Sequence, residues 1–425
     1  MLRPSSRADL RHDGVVGDEG VRVGEVTEEV ELAGHIIDSL VLAKVLDAIV
    51  AAGADYTMLA VDIGRTSDDT SRAHLSVRAP DDASMAALLE ELQQHGANRI
   101  ADLDAALVAC EVDGVLPAGF HSTTNLPTQV RIGGRWCEVE APEMDCALVV
   151  AGTEARTCPM HRVAVGDLVV VGGAGVRVES PARRRDAGFE FMSSEVSSEK
   201  PKALLVAQVA SRMVVCRERG ARTLAVLGPA VIHTGAGPDI ATLVREGWID
   251  VVFAGNGFAT HDMESNVLGT SLGISVAGGV TTEGGHSNHL RVINEVRRWG
   301  SIAAAVEGGY VTGGVMYECV RREVPFVLAG SVRDDGPLPD VRTDVVAAVD
   351  EMRGHVGGVG VSLMLASTLH AIATGNILPA GVETFCVDIN QAVVTKLADR
   401  GSHQALGIVT DVGLFVRDLA DRLCR

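Results

Sequence analysis

The stretch Gly330 to Asp340, GSVRDDGPLPD, gathers a glycine, a serine, an arginine, adjacent aspartates and two prolines directly behind the apolar run Pro325 to Ala329. Such a run reads as a buried strand. The loop therefore presents donors and carboxylates on a stiffened backbone at a strand's carboxyl end, where open α/β sheets bind ligands. A solvated surface turn is the competing reading of any one such loop. Repetition favours the ligand: GPAVIHTGAG (Gly228 to Gly237), AGNG (Ala254 to Gly257), Asp388-Ile-Asn390 and Thr410-Asp-Val-Gly413 also follow strand-like runs, and ATGNIL (Ala373 to Leu378) follows one helix later.

Each residue type suggests its chemistry. An acidic residue closing a strand can accept hydrogen bonds from both hydroxyls of a ribose; Asp388 has that place, and its charge disfavours a 2′-phosphate, so NAD is expected over NADP. Glycines at Thr234 to Gly237 and Gly255 to Gly257 let backbone amides approach a pyrophosphate at a helix N-terminus, although neither is GxGxxG and helix caps explain such glycines equally well. Glu195, Glu199 and Lys200 lie just before Pro201, where one domain hands over to the next, and active sites favour such seams. Of the 37 basic residues only four are lysines, Lys44, Lys200, Lys202 and Lys396, so a retained lysine marks a place where a guanidinium does not serve. The polar segment His121 to Thr128 can grip a carboxylate or simply connect. His233, His261, His286, His289 and His370 have no HExxH context and no cysteine at ligand spacing, so no metal is expected and they read as loop histidines or proton carriers.

The elements that must position these residues are aliphatic. The 425 residues are 47% hydrophobic but only 3% aromatic, with 47 glycines, a balance that suits α/β layers with tight turns. A net charge of −19 argues against nucleic-acid and anionic-membrane partners and leaves a small molecule. Eight scattered cysteines without CxxC spacing suit a reducing, cytoplasmic setting. No apolar run is long enough to span a bilayer, and residues 1–22 read as a disordered leader.

Residues 23–100 read βαββα, a ferredoxin-like unit if a final strand completes it. Residues 101–190 carry short β-prone runs between glycine and proline turns, a small β-rich subdomain. Residues 191–425 repeat strand, turn and helix, with strands at Arg222 to Leu227, Ile249 to Ala254, Pro325 to Ala329, Val359 to Leu365, Thr384 to Val387 and Leu406 to Val409. That rhythm predicts a doubly wound parallel sheet, Rossmann-like and NAD-binding.

EFMSSEVSSEKP, GPAVIHTGAG, AGNGFATHDME, EGGHSNHLRVINEVRR, MYECVRREVPFVLAGSVRDDGPLPDV and CVDINQAVVTKLADRGSHQALGIVTDVGLF together resemble the archaeal-type ornithine cyclodeaminase family, which contains the LOR/SDH bifunctional enzyme conserved region; the likeness runs from about Val30 to Phe415. The resemblance implies an NAD-dependent lyase that converts ornithine to proline and ammonia, with hydride lent to the nicotinamide and returned within one turnover. It places the cofactor on Asn256, Gly257, Asp334, Thr374, Gly375, Asn376, Ile377, Leu378, Asp388, Asp411 and Val412. Cyanobacterial relatives carry the module behind an arginine dihydrolase domain; none is expected ahead of Val23.

Such a reaction needs a group to deprotonate ammonium centres and donors for the substrate carboxylate. The candidates are Lys200, Glu195, His261 and Asp262 for proton transfer, and Asn125 and Arg333 for the carboxylate. A net, saccharopine-type amino-acid dehydrogenase and a non-enzymatic NAD or amino-acid sensor are the alternatives, and a homodimer or homotetramer is expected. Lys200→Met should abolish turnover while calorimetry still detects NAD binding; retained turnover would remove Lys200 from the candidates.

Overall fold

The computed structural model describes residues 26–34, 36–37, 41–64, 71–100, 103–179, 196–197, 202–271, 274–275, 287–334, 336–393, 396 and 405–424. Residues 1–22, expected to be a leader, and Glu195, Lys200 and His286 lie outside them.

Strands β1 (Val26–Gly34), β2 (Asp55–Asp62), β3 (Ser71–Ala79) and β4 (Ala97–Arg99) form an antiparallel sheet in the order β2-β3-β1-β4. The short β4 supplies the final strand that completes the split βαβ unit. Along β3, Ala73, Leu75, Val77 and Ala79 are buried in alternation against the helices Val41–Ala51 and Asp82–Gln94. The second helix is capped by Asp81, which accepts the Ser84 N–H at 2.7 Å, and Asp82 falls in the first turn.

Next come β5 (Ala106–Ala109), β6 (Thr128–Ile132), β7 (Arg135–Glu140), β8 (Ala147–Ala151), β9 (Glu154–Cys158), β10 (Leu168–Val171) and β11 (Val176–Val178), in one sheet ordered β11-β6-β7-β9-β8-β10-β5. It is tied to the last domain by charge. Arg353 donates to Glu143 and to Asp350, each at 2.7 Å, and Asp350 also takes His161 and Arg162.

The last sheet is parallel throughout. Strands β12 (Val196–Ser197), β13 (Arg222–Leu227), β14 (Val251–Gly255), β17 (Phe326–Ala329), β18 (Val341–Arg342), β19 (Val359–Leu365), β20 (Glu383–Asp388) and β21 (Ala405–Val409) run β12-β21-β20-β19-β13-β14-β17-β18, with a separate hairpin of β15 (Thr270–Ser271) and β16 (Ile274–Ser275). Its six inner strands are those expected from the sequence, in the order of a Rossmann sheet. Alternate residues serve opposite faces: Leu224 and Val226 pack with the helices Val345–His355 and Leu369–Ile377, whereas Ala225 and Leu227 pack with the larger helical layer. Burial on both faces is why these strands read as unbroken apolar runs.

The strand order reverses between β13 and β19, so the crevice opens beyond Leu227 and Leu365. Here a Cβ on Gly228 would overlap the carbonyl oxygen of Ala366, itself held at a φ of 47°. Gly228→Ala should therefore destabilise the protein by about 3 kcal/mol or more and lower Tm by roughly 6–12 °C. A Tm within about 2 °C of wild type would show that the two strand ends can part without cost.

Candidate active site

Three aspartates stand along the carboxyl ends of the strands, and each spends one oxygen shaping its own loop. Asp334 Oδ2 accepts the Ser331 N–H at 2.8 Å, Asp388 Oδ1 accepts the Asn390 N–H at 2.8 Å, and Asp411 Oδ1 accepts the Leu414 N–H at 2.9 Å. These are turn and cap bonds made by local sequence. The second oxygen of each has no hydrogen bond from a described residue and is available to a ligand's hydroxyls. Asn256, buried, opens the helix Asn256–Leu268 directly at the end of β14, with Gly257 behind it. Its Oδ1 accepts the Leu338 N–H at 3.0 Å and so pins the Gly330–Asp340 loop over the crevice. Asp388 and Asn256 end strands three positions apart, roughly 14 Å along the row. Val412 is buried at the start of the helix Val412–Cys424, beside Asp411.

Thr374, Gly375, Asn376, Ile377 and Leu378 are placed differently. They form the last turn and cap of the helix Leu369–Ile377, on the seam with the β-rich domain. Asn376 O accepts the Met144 N–H at 2.9 Å, Leu378 O accepts Asn125 Nδ2 at 3.3 Å, and Asn125 O accepts the Ala380 N–H at 3.0 Å. The hydroxyl of Thr374 and the Oδ1 of Asn125 are buried and unpartnered. The His121–Thr128 segment thus connects and seals, with Thr123 bonded to Glu143 O and Cys146 O. Arg333 is exposed on the loop after β17. Lys200 and Glu195 lie outside the described residues; the strand between them, β12, joins the sheet beside β21.

His261 lies one turn inside the helix that Asn256 starts. Its Nδ1 is 2.9 Å from Glu264 Oε2, and its ring meets His233 at 4.8 Å and His289 at 6.3 Å. His233 Nδ1 is 2.7 Å from Ser271 Oγ, and burial followed by the neighbouring His261 lowers its pKa. His370 packs against Gly255, where burial lowers its pKa against the opposing pull of Asp334.

Asp262 requires a correction. Its two oxygens accept the N–H groups of Val315 and Met316 at 2.9 and 2.8 Å, capping the helix Val315–Arg321 from across the core, and Gly314, at a φ of 95°, leaves it room. A carboxylate so committed, and 3% exposed, is a structural cap and cannot meet a substrate. Glu264 is the residue that sequence reasoning missed. The signal was its spacing of three from His261 within an expected helix.

Comparison with known proteins agrees with this architecture. Residues 207–419 match the family model described as arginine dihydrolase ArgZ-like, C-terminal, Rossmann fold; residues 127–206 match the first region of the same C-terminal part, and residues 27–126 the LOR/SDH bifunctional enzyme conserved region. The ornithine cyclodeaminase of Methanothermobacter thermautotrophicus is 51% identical over 394 residues, covering 92% of this chain and 96% of that protein. The chain belongs to the archaeal-type ornithine cyclodeaminase family. Solved structures similar to this chain include ArgZ, an arginine dihydrolase from the cyanobacterial ornithine–ammonia cycle, solved without ligand (TM-score 0.82, 37% identity, 96% of this chain), and AgrE in complex with ornithine and NAD+ (TM-score 0.52, 42% identity, 95% of this chain). This chain spans only 60% and 58% of those two longer chains.

Burial raises the Asp262 pKa from 3.8 to about 6, opposed by its two amide donors. Between those values the folded chain holds a proton that the unfolded chain has lost, so stability contributed by this group declines as pH rises through the window. Asp262→Asn should remove that decline in thermal scans between about pH 4 and 6 and lower Tm at pH 7 by several degrees. An unchanged pH dependence and Tm would return Asp262 to the proton carriers.

Proposed function

We propose that this chain is an NAD-dependent ornithine cyclodeaminase, forming proline and ammonia from ornithine. The observation that carries this reading is the row of half-committed aspartates and the helix start at Asn256, arrayed beside the strand-order reversal of a chain half identical to a cyclodeaminase along nearly its whole length.

The residues present suit a dinucleotide. Asp388 offers an oxygen to a ribose diol, the N-terminus of the helix at Asn256 offers amides to a pyrophosphate, and the orphaned hydroxyl of Thr374 marks a buried donor awaiting an acceptor. When bound, NAD would supply a reversible two-electron acceptor for the α-carbon hydride. The chain's own groups hold the substrate carboxylate, keep water from the imine, and take protons from the ammonium centres. Arg333 is proposed for the carboxylate, since Asn125 is buried with its Nδ2 on Leu378 O and only an acceptor, Oδ1, unpartnered; His261, and Lys200 or Glu195 from the adjoining segment, are proposed for the protons. Free cysteines throughout are consistent with a reducing compartment, and no helix among the described residues is long and apolar enough to cross a membrane. The reading includes a homo-oligomer, supported by the edge strand β2, which leaves Met58, Leu59 and Val61 exposed.

With ornithine in large excess over NAD, proline and ammonia should accumulate in equal amounts while absorbance of the reduced nicotinamide stays near its starting value. Reduced cofactor rising in step with ornithine loss would instead identify a net dehydrogenase, and tight NAD binding without product a sensor.

A further inference from the structure

We propose that Glu264 is a positioning residue for proton transfer, fixing His261 so that its Nε2 takes a proton from the α-ammonium group of the substrate; this rests on the cyclodeaminase reading. The side chain of Glu264 is fully buried, and among the described residues its place is set from three elements. Oε2 holds His261 Nδ1 one turn earlier on the same helix, Oε1 accepts the Thr270 hydroxyl of β15 at 2.8 Å, and Thr270 Oγ1 accepts Asn288 Nδ2 at 2.9 Å from the helix Asn288–Trp299. Burying a carboxylate is costly, and packing alone would be served by an amide. A carboxylate adds two things: it keeps the proton of neutral His261 on Nδ1, leaving the Nε2 lone pair available, and it stabilises the imidazolium formed once Nε2 is protonated.

The location suits the task. His261 lies on the helix that begins at Asn256, and His233 beside it lies on the short helix after β13, so the pair sits behind the two strands next to the reversal. Among the described residues, the groups facing His261 are Glu264 from its own helix, His233 from Ala230–His233 and His289 from Asn288–Trp299; Asp262 turns away to its cap. In the step itself the N–H bond of the α-ammonium breaks, its electron pair stays on nitrogen, and the proton passes to Nε2. This leaves a neutral amine and an imidazolium paired with Glu264.

The test is Glu264→Gln in the full chain. Expected is a loss of kcat of roughly 100-fold or more, with NAD affinity by calorimetry within about threefold. Losing the anionic partner makes the imidazolium intermediate less stable, so the acid limb of the pH–rate profile should move to lower pH, and 15N NMR of the NAD-free protein should show the ring proton of His261 no longer confined to Nδ1. His261→Asn combined with Glu264→Gln should be no slower than His261→Asn alone, because the two act as a unit. Should Glu264→Gln fail to fold, Thr270→Val leaves the His261–Glu264 pair in place while removing its anchor, and both the pH–rate profile and the His261 15N signals should change. Unchanged His261 15N signals overturn the proposal whether or not ornithine is turned over; changed signals in a protein without ornithine turnover would overturn the cyclodeaminase reading and leave the pairing standing. Full activity in Glu264→Gln would overturn the positioning role itself.

Discussion

The last hydrogen-bonded rung of the parallel sheet is the constraint on which the site depends. Beyond the strands proper, Gly228 N–H reaches Leu365 O, Ala366 N–H reaches Val387 O, and Thr410 N–H reaches Asp388 O, at 2.9, 2.9 and 3.2 Å. Four strand ends are thereby held level across the crevice. The rung closes only because residue 228 has no side chain, since the Ala366 carbonyl fills the place where one would stand. Levelling the ends puts Asp388 and Asp411 in one row, and the chain then leaves Ala366 for one face of the sheet and Gly228 for the other.

Commitment of polar groups separates the roles along that row. A carboxylate with one oxygen in a local turn bond is rigid yet retains an acceptor, the condition of Asp334, Asp388 and Asp411. A carboxylate with both oxygens spent is a structural member, as Asp262 is. Glu264 lies between the two: both oxygens are engaged, but one partner is an imidazole that can change its protonation. The rigidity of such a group comes from low-dielectric surroundings in which an unpaired charge would be expensive, so its bonds are seldom broken.

The six inner strands were legible because two-sided burial writes a continuous apolar run, and the aspartates because their turn bonds reach only two or three residues along the chain. Two of the strands that sequence did not reveal lack that signature. Ala97–Arg99 is three residues with two polar, and Glu154–Cys158 interleaves a glutamate and an arginine with small side chains. Asp262 was misread because its partners are backbone amides 53 and 54 residues away, and a backbone amide leaves no mark on composition. Thr270 and Asn288 join Glu264 only through the packing of a hairpin and a helix, so no local pattern announces them. Thr374 to Leu378 were expected one helix after a strand, and they form that helix's last turn and cap; what sequence did not show is that the carbonyls there are taken by the β-rich domain, through contacts with residues more than 200 positions away.

A net charge of −19 would seem to oppose an anionic dinucleotide, yet the site needs few basic side chains. Surface carboxylates farther away than a Debye length of roughly 8 Å are screened at physiological salt. Within that distance the field is set by oriented amides, and the helix starting at Asn256 directs its unpaired N–H groups outward from the end of β14. The three row aspartates then act as filters: they welcome hydroxyls and repel an additional phosphate. Positive charge concentrated in the crevice would bind phosphates more strongly but would not discriminate among them, whereas amides for the pyrophosphate and carboxylates for the sugars distinguish a plain ribose from a phosphorylated one.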